Sequence, residues 1–159
     1  MTRFLTLVTL CAVLITTNTG CFKECKPKPV SAEASPMLAY ATTIGMNAQA
    51  HESGIYYEIL EPGTGETPTI NSNIAITYVG KFLDGEKFDE ATSPNNTASN
   101  PHWALASLIE GWRIGLPLIK EGGKMRLLVP SKLAYGCEGR SIIPGNTPLF
   151  FEITLVDVQ

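Results

Sequence analysis

The stretch Trp103-Ala104-Leu105-Ala106-Ser107-Leu108-Ile109-Glu110-Gly111-Trp112 decides how the chain is read. It passes from a strand-like apolar run into a short, glycine-containing helix that carries one of only two tryptophans. Gly115 and Pro117 end that helix, which is predicted from Glu110 to Leu116. Ile109 then stands at its N-terminal boundary, where a backbone N–H has no acceptor within the helix. An orphan donor beside an indole is the feature that the rest of the chain has to explain.

Working outward, Glu121-Gly122-Gly123 is a turn and Lys124 to Pro130 (KMRLLVP) a strand. Leu133-Ala134-Tyr135-Gly136 opens an irregular loop that runs to Pro148. In the last stretch, Leu149, Phe151, Ile153 and Leu155 share one face at period two. Upstream of the helix, Ile55 to Leu60 is strand-like and is stopped by Glu61-Pro62-Gly63-Thr64-Gly65. Ile74, Ile76, Tyr78 and Phe82 line one face of the next strand, Asp84-Gly85 signals a hairpin, and Lys87-Phe88-Asp89 opens the returning strand. The residues between Glu90 and Pro101 have the composition of a loop. Strands in hairpin succession around one short helix predict an α+β fold, an antiparallel sheet of about five strands with the helix packed on it.

With 159 residues, 44% hydrophobic and only 17% charged, the chain can bury one modest core. Residues 1–20 read as a signal peptide, because Arg3 precedes an apolar stretch, Phe4 to Ile15, too short to span a bilayer. Gly20-Cys21 looks like a lipoprotein cleavage site, which makes Cys21 the expected lipidated residue. Asn18 stands where such sites usually carry leucine, so ordinary signal cleavage is the alternative. Residues 21–51 read as tether and linker, Lys/Pro/Ala-rich to Ser35 and, from Pro36 to Ala50, too short and too rich in Thr and Gly for an independent helix, a helical turn or two packed on the domain being the alternative. The folded domain is expected over 52–159, and the protein is expected to be exported, to the periplasm or outer cell envelope.

Loss of Arg3 with the leader leaves 11 Lys+Arg against 15 Asp+Glu, a net of −4, and such a surface does not seek nucleic acid. Contact with a membrane is expected only through the N-terminal lipid. Cys25 and Cys137 are read as two unrelated thiols, a disulfide between them being the alternative in an oxidising compartment.

The chemistry-bearing patterns are mostly negative. His51 and His102 have no metal-ligand spacing, so no metal is expected, and His102 reads as a solvated loop residue. Gly63 and Gly65 lack the third glycine and following helix of a dinucleotide site, no nucleophile elbow or phosphate loop occurs, and no cofactor is expected. What remains is a set of inward-pointing aromatics, Tyr78, Phe82, Phe88, Trp103, Trp112, Tyr135 and Phe151. Taken singly, each reads as core.

In order and spacing, Tyr78-Val79-Gly80, Asp84 to Asp89 (DGEKFD), Leu108 to Trp112 (LIEGW), Ala134-Tyr135-Gly136, Ile143-Pro144 and Leu149-Phe150-Phe151 resemble the FKBP-type peptidyl-prolyl cis-trans isomerases. The resemblance covers Ser53 to Gln159. It implies a half-barrel sheet wrapped around the short helix, with a shallow pocket between them. Trp112 is its implied floor, and Tyr78, Phe88, Ile109 and Phe151 its implied walls, with Leu108 and Trp103 beside them. The Ile109 N–H and the Tyr135 hydroxyl are the implied donors to substrate carbonyls, and Asp89 the implied polar edge near the twisting amide. Proline-containing polypeptides of the cell envelope are the implied substrates, macrolides of the FKBP type further ligands, and a non-catalytic proline-binding or chaperone module the alternative. Pro144-Gly145, where the family often has Pro-Pro, and the loop Gly136 to Ser141 depart from the family pattern, which bears on preferences around the proline.

Overall fold

The computed structural model describes residues 25–159. The signal peptide and Cys21 therefore lie outside the described residues. Seven strands form one antiparallel sheet: β1 (Gln49–Ala50), β2 (Tyr56–Glu61), β3 (Asn73–Lys81), β4 (Lys87–Ala91), β5 (Trp103–Ala104), β6 (Lys124–Val129) and β7 (Leu149–Val158). Their order is β1-β2-β6-β7-β3-β4, with β5 paired to β3, so the sheet is open between β1 and β4. Five substantial strands agree with the expected number, but hairpin succession does not hold throughout. β2 pairs with β6, β3 with β7, and only some sequence neighbours, such as β3 and β4, lie side by side. The cause lies in β7, whose ten residues are long enough and apolar enough to take a partner on each flank.

One face of the sheet carries Ile74, Ile76, Met125, Leu127, Val129, Phe151, Ile153 and Leu155, all at most 2% exposed. Against it packs α2 (Glu110–Gly115), continued by a 3₁₀ turn, Leu116–Leu118. Gly111 and Gly115, one helical turn apart, set how closely. A Cβ at Gly111 would meet the Val129 side chain at 2.4 Å, and one at Gly115 the Leu127 side chain at 2.9 Å. The helix therefore rests on β6 through its backbone, which puts Trp112 between helix and sheet.

The segment expected as a linker is folded. Val30–Glu33 makes a 3₁₀ turn and Ala34–Thr43 the helix α1, which buries Met37, Tyr40 and Ala41. They cover Leu128 and Phe150, cross-strand partners that point away from the main core. Tyr40 and Phe150 meet edge to face, ring centroids 5.4 Å apart. A helix too short to stand alone in water is stabilised here by tertiary packing.

The reading of Cys25 and Cys137 as unrelated thiols is also corrected, since the two form a disulfide. The arm that carries Cys25 lies along the 136–146 loop. Lys28 N–H donates to Asn146 Oδ1 at 3.0 Å and Asn146 Nδ2 donates to the Lys26 carbonyl at 3.2 Å, while the Cys25 and Cys137 Cα atoms are 5.5 Å apart. Further along, the buried Glu33 carboxylate accepts from the Ser131 N–H at 2.6 Å and hydroxyl at 2.8 Å. Arm and domain are thus joined by a disulfide, a charge-assisted pair of hydrogen bonds and an apolar face.

Candidate active site

The pocket lies between α2 and the end of the sheet where β3, β4 and β7 meet, and holds about 590 Å³. Its floor is the Trp112 indole, 6% exposed. Tyr78 and Phe151 stand edge to face against that ring, each with its centroid 5.1 Å away, and Phe88 continues the wall 5.7 Å beyond Phe151. Trp103 meets Tyr78 at 6.4 Å. These rings come together because β3 and β7 are paired with Tyr78 opposite Ile153 and Gly80 opposite Phe151. The indole Nε1 is buried and makes no hydrogen bond among the described residues.

All eight expected binding residues, Tyr78, Phe88, Trp103, Leu108, Ile109, Trp112, Tyr135 and Phe151, line this one cavity, as does Asp89. Ile109 has an extended conformation (φ −57°, ψ 148°) just before α2. Its carbonyl accepts from the N–H groups of Trp112 and Arg113, and its own N–H donates to no acceptor among the described residues. The Tyr135 hydroxyl likewise has no hydrogen-bond partner there, its ring lying beneath the Arg140 guanidinium at 5.8 Å. Two donors at one mouth are thus left for something that brings carbonyl oxygens.

Asp89 is already engaged. One oxygen accepts from the Tyr78 hydroxyl at 2.5 Å and the other from the Glu90 N–H at 2.9 Å. Burial of the phenol, the hydrogen bond to Asp89 and the Asp89 charge together push the Tyr78 pKa far above its usual 10. Burial also raises the Tyr135 pKa, with the Arg140 charge opposing and the Asp89 charge adding. Both hydroxyls are therefore protonated at any physiological pH.

Five further residues line the cavity, Ser107, Arg140, Ser141, Ile142 and Ile143; the resemblance pointed to the loop of Arg140 and Ser141 and to Ile143 without assigning them to the pocket, and Ser107 and Ile142 carried no signal. Four come from the 136–148 loop, among them Ile142, which is 65% exposed. The β4–β5 loop, read only as loop, contributes structurally. Asn95 is buried, accepts from Ile76 N–H at 2.9 Å and donates to the Ile74 carbonyl at 2.9 Å, which satisfies an edge of β3. His102 is not solvated as expected, because its Nε2 lies 2.6 Å from Asp157 Oδ2 and its side chain is 15% exposed.

A family model described as FKBP-type peptidyl-prolyl cis-trans isomerase matches residues 64–156. The chain belongs to this family. Among FKBP relatives, it is 37% identical over 107 residues to the "FKBP-type peptidyl-prolyl cis-trans isomerase FkpA" of Escherichia coli (strain K12), an alignment covering 67% of this chain and 38% of that protein. It is 33% identical over 108 residues to the "Peptidyl-prolyl cis-trans isomerase Mip" of Coxiella burnetii, covering 67% of this chain and 46% of Mip. The chain thus spans less than half the length of these relatives. The crystal structure of a peptidyl-prolyl cis-trans isomerase from Pseudomonas syringae pv. tomato superposes with a TM-score of 0.66 at 34% identity, over 84% of this chain and 98% of that one. The fold here is thus shared with that structure, and the superposition, over 84% of this chain, reaches upstream of the family segment that begins at residue 64.

Proposed function

We propose that this protein is a peptidyl-prolyl cis-trans isomerase acting on Xaa-Pro bonds of exported or envelope polypeptides. The observation that carries the reading is the pairing of a ring-lined pocket with two unengaged donors, the Ile109 N–H and the Tyr135 hydroxyl. Twisting a peptide bond must overcome about 18–20 kcal/mol of conjugation, and the spontaneous prolyl reaction takes tens to hundreds of seconds. The twisted amide has less charge separation than the planar one, so a water-poor aromatic floor favours it over the ground state. The donors then fix the flanking carbonyls in the turn that twisting requires. No proton needs to move, which suits a pocket whose tyrosines stay protonated. Asp89 acts by orienting the Tyr78 phenol at the pocket edge.

The isomerase reading is tested by an exchange assay on an Xaa-Pro tetrapeptide. Micromolar protein is expected to accelerate exchange above the spontaneous rate, and Tyr135→Phe to lower kcat/KM about three- to tenfold, the loss of one hydrogen bond. An unaccelerated rate sinks it and leaves the module that binds proline without turnover. Proline-containing polypeptides are the proposed partners, and macrolides of the FKBP type are proposed to enter over Trp112.

Export is supported by the apolar N-terminal stretch and by the Cys25–Cys137 disulfide, a bond that persists in oxidising compartments. Lipidation at Cys21, with residues 1–20 removed, is the proposed anchor. Cys21→Ala is expected to shift the protein from membrane to soluble fractions.

A further inference from the structure

A second groove, of about 740 Å³, lies beside the pocket. Three parts of the chain build it. Lys28, Ala32 and Pro36 come from the N-terminal arm and α1, Leu83, Asp84 and Glu86 from the β3–β4 hairpin, and Pro144 and Pro148 from the loop before β7. The arm wall lies outside the family segment, residues 64–156, so this groove is built partly from chain that the family model does not include. The wall is fixed in place by the disulfide, the Lys28–Asn146 contacts and the Glu33–Ser131 pair.

Two observations bear on what it can hold. Ile142 lines both cavities, so the groove adjoins the pocket across this one exposed side chain. A polypeptide seated by its proline advances about 3.3 Å per residue when extended, and reaches the second cavity within a few residues. The groove's charge is uneven as well. The Glu33 carboxylate is turned to Ser131, and at the exposed surface the two carboxylates of Asp84 and Glu86 outnumber the one ammonium of Lys28, which lies 3.4 Å from the Asn146 carbonyl.

We propose that the groove holds the residues flanking the proline of a client polypeptide, and that it selects flanks carrying apolar side chains together with a lysine or arginine. This rests on the isomerase reading for what fills the first pocket, and adds to it a determinant of client preference. The prolines of the walls supply rigid apolar surface at little entropic cost, and the two carboxylates supply attraction for a cation.

The test compares three labelled peptides with the full chain, by fluorescence anisotropy and by isomerisation: an Xaa-Pro tetrapeptide, and two extended peptides whose apolar flanks, on both sides, carry either lysines or glutamates. The lysine peptide is expected to bind about three- to tenfold more tightly than the glutamate peptide. In Asp84→Asn/Glu86→Gln, which keeps an acceptor for the Glu86 N–H, that difference should disappear. In Ala32→Phe, which fills the groove from the arm side, both extended peptides should fall to the affinity of the tetrapeptide. Turnover of the tetrapeptide is expected to be unchanged in both variants. A lysine preference that survives the neutralising variant, or extended peptides that bind no better than the tetrapeptide, overturns the proposal. Binding preferences that behave as expected without any turnover overturn the isomerase reading and leave the groove standing.

Discussion

Tyr78 joins the two kinds of physics in the pocket. Its ring packs on the Trp112 and Trp103 indoles and its hydroxyl is held by Asp89, so burial, hydrogen bond and nearby charge all oppose ionisation. The sign of the consequence follows from linkage. In the unfolded chain the phenol titrates near pH 10, whereas in the folded protein it keeps its proton to higher pH. The stabilisation is fully present below about pH 10 and is lost as pH rises through the folded value. The urea midpoint is expected to decline between about pH 9.5 and 11 as unfolding releases protons. Tyr78→Phe, measured over the same range, should show a shallower decline, and an identical slope in the two proteins removes Tyr78 as its source. Tyr135, and Tyr40 under the sheet, are raised as well and account for part of the remaining slope.

At the scale of elements, what was legible is what local pattern encodes. The boundary at Ile109 followed from helix-end chemistry, and the Tyr78 and Phe151 faces from period two, because both are set by backbone geometry alone. Helix α1 was not legible, since its ten residues have weak intrinsic preference and form only against a partner surface. The signal lay in the strands. Leu127-Leu128 and Phe150-Phe151 place large apolar residues on both faces, which one-sided alternation cannot accommodate without a second covering layer. The sheet pairing was hidden for a different reason, because register between β2 and β6 or β3 and β7 depends on contacts distant in sequence. If α1 is a true second layer, truncating its buried Met37 should cost about 2–4 kcal/mol. Met37→Ala, followed by chemical denaturation, is expected to show that loss while the folded protein turns over a tetrapeptide at the wild-type rate. A loss below about 0.5 kcal/mol, the usual range for surface changes, would show that the helix is not bound to the sheet in solution.

For the whole molecule, the decisive link is between the N-terminal arm and the loop that carries Tyr135. The Cys25–Cys137 bond closes a span of 112 positions, which encloses α1, the sheet through β6 and α2. Its main effect is on the unfolded chain, whose freedom such a closure reduces, and bonds of this kind contribute about 2–4 kcal/mol. In the folded state the loop has anchors of its own. Gly136 N–H donates to the Ser131 carbonyl at 2.7 Å, Asn146 N–H to the Gly136 carbonyl at 2.8 Å, and Arg140 pairs with Ile143. Stability and site geometry should therefore separate. Reduction by dithiothreitol, or Cys25→Ser, is expected to lower the denaturation midpoint by the equivalent of that energy while tetrapeptide turnover, measured well below the transition, stays within twofold of the oxidised protein. Equal midpoints for oxidised and reduced protein would mean that the arm constrains nothing. A collapse of turnover at a temperature where the fold persists would mean instead that the disulfide, rather than the loop's own hydrogen bonds, positions Tyr135.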